Sequence, residues 1–195
     1  MNYFLDLVYQ LITRPRLAMR TITKGEKLGQ AAILWLFVIV MTSFTTLIEG
    51  PGILTRILFC LCGFGLSLVL HSAVIDYCAG FMGGRGSARG ITAGFLAASL
   101  PYAFTVFGGV LSLFGLTFLE SLLGTVVVVW SFVLDVLAIS ENYGFSTGRA
   151  IGTACIPAIL GAVFVLCLFL LGMAAAVAGL SQIGGAGMTD VLQSI

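Results

Sequence analysis

The chain has 195 residues, 59% of them hydrophobic and 9% charged, with a mean hydropathy of +1.14. Soluble domains carry about 25% charged residues, so this composition excludes a water-wetted globule and calls for lipid as the solvent. The formal net charge of +1 excludes the electrostatic footprint of a nucleic-acid binder.

The first predicted element is a helix over residues 2–13. Phe4, Leu7, Val8, Leu11 and Ile12 share one face, while Asn2, Asp6, Gln10 and Thr13 share the other. Pro15 ends it. The segment is too short to cross a bilayer, which takes about 20 residues. With Arg14, Arg16 and Arg20 behind it, it reads as an amphipathic helix lying on the membrane surface, or as a lid packed under the bundle. No basic head precedes its apolar residues, so the pattern is not that of a signal peptide. Residues 1–27 thus form an interfacial helix and a basic linker.

Five apolar stretches follow, each long enough for a transmembrane helix: about 28–48, 53–75, 90–115, 117–139 and 150–180. The fold class is therefore all-α, with a five-helix membrane domain over residues 28–180 and a Gly-rich flexible tail over 181–195. Arg14, Arg16, Arg20, Lys24 and Lys27 precede the first span, Arg85 and Arg89 join the second to the third, and Arg149 joins the fourth to the fifth. Only Arg56 lies at the opposite end. Basic residues stay on the cytoplasmic side, so the N-terminus is expected inside and the C-terminus across the membrane.

Charges otherwise concentrate in two similar strings, 76-DYCAGFMGGRGSARGI-91 and 135-DVLAISENYGFSTGRAI-151. Each has an aspartate, a bend, a hydroxyl residue suited to cap a helix (Ser87; Ser146 or Thr147), then Arg-small-Ile. Pro101 and Pro157 follow in the two succeeding spans. The pattern reads as two helical hairpins of the same sense, a parallel repeat. Asp76 and Asp135 fall near helix C-termini and Arg89 and Arg149 near N-termini, each unfavourable for the dipole of its own helix. Pairing across each hairpin, Asp76 with Arg89 and Asp135 with Arg149 or the crossed pairs, offsets this. Arg85 and Glu141 are placed at the rim. These six residues form the candidate polar cluster, which either staples the hairpins or binds a ligand.

Other chemistry is sparse. Gly80, Gly83, Gly84 and Gly86 serve bending and close helix approach better than phosphate binding, since no P-loop pattern or preceding strand is present. Pro101 and Pro157 free the carbonyls of Ala97 and Thr153 and read as kinks rather than as a substrate site. His71 is the one histidine and lies about 140° around a helix from Asp76, so the two do not chelate. The five cysteines form no CxxC and read as small buried thiols. No metal, cofactor or catalytic residue is assigned, and enzyme activity is not expected.

The Arg-Pro element 14-RPR-16, the hairpin 76-DYCAGFMGGRGSARGITAGFLAASLPYAF-104 and the string 134-LDVLAISENYGFSTGRAI-151 resemble the Yip family of five-span membrane proteins, over about half of the chain. The resemblance implies five helices, a cytoplasmic N-terminus and a far-side C-terminus. In eukaryotic members it also implies contact with Rab-type small GTPases and a role in vesicle traffic. Those members carry a long polar region before the first span. Here 27 residues precede it, which argues against a GTPase contact and for a short bacterial-type member in the cytoplasmic membrane. The leading expectation is a non-enzymatic scaffold or partner subunit, bound to the bilayer and to a protein partner or a second copy. The alternatives are a small-solute transporter and a lipid-handling protein acting through its N-terminal helix.

Overall fold

The computed structural model describes residues 3–44 and 53–193, with side chains over 5–44, 54–55 and 57–175. Every element among these residues is helical: α1 (Tyr3–Thr13), α2 (Pro15–Lys24), α3 (Leu28–Phe44), α4 (Ile53–Phe81), α5 (Ala88–Ala98), a 3-10 turn (Leu100–Phe104), α6 (Thr105–Leu113), α7 (Thr117–Tyr143) and α8 (Thr147–Gln193). Among the described residues, four stretches are long and apolar enough to cross a membrane: Ile57–Phe81, Ala88–Leu113, Thr117–Tyr143 and Thr147–Ala175. The first predicted span is present as α3, an apolar helix of 17 residues. That length rises only about 25 Å against a hydrocarbon core of about 30 Å. Its predicted end at 45–48 lies outside the described residues, as do Asn2 and the side chains of Phe4 and Arg56.

The basic linker is a helix. Pro15 both ends α1 and opens α2, because the first helical position needs no backbone donor and favours the fixed φ of proline. Ala18, Met19, Ile22 and Thr23 are buried on one face of α2, against α5 and α7. Leu7 and Leu11 of α1 join the same core.

At the centre lies α5. Gly90, Ile91 and every residue from Ala93 to Ala98 are buried, because small side chains let α3 and α7 approach from both sides. A Cβ on Gly94 would stand 2.7 Å from Ala138 Cβ on α7. The third span does not continue straight. Pro101 has no amide for the helical ladder, so the chain tightens into the 3-10 turn before resuming as α6. Gly115, at φ +71°, then reverses the chain into α7.

The chain divides into two compact units, Met1–Cys155 and Ile156–Ile195. The second is the remainder of α8. Its large side chains from Ile159 to Met173 are exposed, as befits a lipid-facing span. Residues 181–193, read above as a flexible tail, continue the helical backbone of α8. The expectation of buried thiols is also corrected: Cys62 and Cys167 are exposed and the other three half-buried, on surfaces where a small apolar group meets lipid tails without penalty.

Candidate functional site

The bends after α4 and α7 meet at the end of the molecule that carries most of the basic residues. Gly144, in the left-handed conformation at φ +70°, closes α7, and Phe145 N donates to Ser140 O at 3.1 Å. Ser140 Oγ returns a bond to Phe145 O at 2.8 Å. The turn thereby holds Asn142, Tyr143 and Phe145 buried against the glycine bend. A Cβ on Gly84 would stand 2.8 Å from the Phe145 ring, and one on Gly86 2.6 Å from Asn142 Nδ2. These glycines are filled by neighbouring side chains, and close approach explains them fully. Ser87 caps α5 as predicted, accepting from Gly90 N at 3.0 Å, and its carbonyl accepts from Asn142 Nδ2 at 3.1 Å.

The structure corrects the charge pairing. Asp76 accepts a hydrogen bond from Tyr143 Oη at 2.7 Å, not from an arginine. Arg89 approaches Glu26 at 4.0 Å. Arg149 donates to the carbonyl of Met82 and lies 4.5 Å over the Phe145 ring. Thr153 Oγ1 touches Met82 sulfur at 3.3 Å from the same side. Glu141 is bound by Arg16 at 2.7 Å and faces Arg20 at 3.8 Å, so it fastens α2 to α7. Arg85 is exposed and has no ion pair among the described residues.

The physical reason is helix length. α4 runs to Phe81 and α7 to Tyr143, beyond the predicted ends at 75 and 139. Asp135 therefore lies eight residues inside α7, about 12 Å from its end, out of reach of the first turn of α8. Arg149 instead sits at the carbonyl-rich C-terminal end of α4, which suits a cation. Asp76, five residues inside α4, meets the phenol of Tyr143.

Asp135 faces a cavity of about 200 Å³ between α3, α4, α5, the 3-10 turn and α7. His71 of α4, Tyr102 of the turn, Ser99 and Ser131 share its wall with Trp35 of α3. Ser131 Oγ is buried and makes no hydrogen bond of standard geometry, its neighbour being the Tyr102 phenol. A second cavity of about 220 Å³ adjoins it through Trp35, Phe64, Ser99 and Tyr102. Sequence reasoning did not foresee this cavity. Its signal was there: His71 and Asp135 stand well inside apolar runs rather than at their ends, and Pro101 turns the chain beside them. No group of three or more metal-ligating side chains occurs among the described residues.

The family model of the Yip1 domain matches residues 9–169, most of the chain and all of the elements described around both sites. The chain belongs to the Yip family. Neither a curated relative nor a solved structure matches it. Within this Yip-family fold the matched region takes in α2, the glycine bend and the whole cavity, and ends in the apolar part of α8. With its apolar helices, the match makes this an integral membrane protein.

Proposed function

We propose that this Yip-family protein is a non-enzymatic scaffold or partner subunit of a membrane assembly. One observation carries the reading. At the basic end the acids Asp76 and Glu141 are turned inward and satisfied, while Arg16, Arg20 and Arg89 are 68%, 63% and 72% exposed. An outward cationic face of this kind is suited to docking, and the partner we propose is a membrane protein or a second copy rather than a small GTPase. The basic end faces the cytoplasm, α3 completes a fifth crossing, and the membrane is the bacterial cytoplasmic one. α1 lies in the interface: Leu5, Tyr9 and Ile12 are exposed while Leu7 and Leu11 pack inward, giving it one apolar side for lipid and one for the bundle. Purification in mild detergent followed by native mass measurement tests the reading. The expected result is an assembly heavier than one chain, lost when Arg85 and Arg89 are both replaced by Glu. A clean monomer at every concentration would overturn it.

The cavity favours a second reading, small-solute transport on a parallel two-hairpin repeat whose bends touch at Gly86 and Tyr143. Flux into liposomes that is abolished by Asp135→Asn supports it. Flux unchanged in both Asp135→Asn and Asp76→Asn removes the acids from any such role.

A further inference from the structure

The cavity at Asp135 combines features that point to one ligand chemistry. A carboxylate at membrane depth is unfavourable unless a cation or hydrogen-bond donors meet it. Among the described residues, no basic nitrogen lies within the 4.0 Å ion-pairing distance of Asp135. His71, the one basic side chain lining the wall, packs its ring edge-on against Phe95, with centroids 4.9 Å apart. The chain thus supplies a carboxyl group on the cavity wall with no ion-pair partner among the described residues.

The rest of the wall suits an organic cation better than a metal ion. No metal-ligating group of three exists there. The volume of about 200 Å³ far exceeds the ~10–15 Å³ that one water requires, so a bare ion would leave most of the cavity empty. Trp35, Tyr102 and Phe64 place aromatic rings in the wall, and such rings attract cations. Ser99, Ser131 and Tyr102 contribute hydroxyl groups to the wall, whose oxygens accept from N–H donors, and the buried Ser131 Oγ has the Tyr102 phenol as its neighbour. Phe64, also part of the wall, is 60% exposed, so the wall includes an apolar ring that reaches the surface.

We propose that this cavity binds a small primary ammonium ion, with Asp135 as its counter-ion, the hydroxyls as acceptors and the aromatic rings around its hydrocarbon part. The site stands whether or not the bound ion crosses the membrane, so it is independent of the scaffold and transport readings alike.

Tryptophan fluorescence tests it on the full chain in lipid nanodiscs. The chain has two tryptophans, Trp35 in the cavity wall and Trp130 outside it, so Trp130→Phe leaves Trp35 as the reporter. The probes are butylammonium chloride, which is fully protonated at pH 7, the uncharged butan-1-ol of similar shape, and sodium chloride. The expected result is a saturable change in Trp35 emission with butylammonium, and binding at least about tenfold weaker for butan-1-ol. Sodium chloride at equal ionic strength is expected to leave the emission unchanged. Asp135→Asn is expected to weaken butylammonium binding by a similar factor. An equal response to butan-1-ol, a response to sodium alone, or no saturable response to butylammonium would overturn the proposal. The comparison of charged and neutral probes uses no change at Asp135, so it decides the matter even where Asp135→Asn unfolds.

Discussion

A carboxylate inside a helix bundle is costly unless a donor or a cation meets it, and Asp76 has a donor in the Tyr143 hydroxyl at 2.7 Å. Tyr143→Phe keeps the ring packed against Phe145 and deletes that donor alone. It should lower stability by about 1–3 kcal/mol, read as a lower thermal midpoint in detergent. Replacing both partners, Tyr143→Phe with Asp76→Leu, should restore most of the loss, because no unsatisfied carboxylate then remains. Gly90 is a second sensitive point. A Cβ there would stand 2.6 Å from Thr23 O and would also press on Asn142 Oδ1, both held by their own helices. Gly90→Ala should therefore destabilise by about 1–3 kcal/mol, whereas Gly80→Ala, where a Cβ meets nothing within 4 Å, should not.

At the scale of elements, α2 is fixed by a buried apolar stripe and by Glu141. The stripe carries most of the energy, because Arg16 is 68% exposed and such an ion pair contributes about 1 kcal/mol or less. Glu141→Gln should leave the thermal midpoint nearly unchanged. It should speed hydrogen exchange in residues 16–24 by up to about fivefold, measured by mass spectrometry. The helical state of 15–24 was hard to read in advance: Arg16, Arg20 and Lys24 recur on its exposed face, and the short run Ala18–Met19 with Ile22 is weak evidence of burial until α5 and α7 are there to cover it. The break at Pro101 was legible as a kink, since the missing donor is intrinsic to proline.

For the whole molecule, the long spans were legible because hydropathy alone sets them, and the Yip resemblance rested on strings whose bends lie at one end. The side-chain partners were not legible. Polar residues such as Ser140, Glu141 and Asn142 read as the start of a loop, yet tertiary packing keeps them helical for another turn. That turn carries Asp135 away from Arg149 and into the cavity. Side-specific labelling checks the resulting topology. With the five natural cysteines replaced, a single cysteine at Arg85 should react with a membrane-impermeant maleimide only in inside-out vesicles. One at Leu116 should react only in right-side-out cells. The reverse result would invert the charge-based orientation.

Arg16 and Glu141 are 125 residues apart in the chain. Ribosomes make proteins from the N-terminus, so the first two helices leave the exit tunnel long before the residue that secures them exists. The apolar stripe of α2 must wait for α5, and then for α7, before its final neighbours cover it. α1 and α2 are thus secured only by residues made much later in the chain.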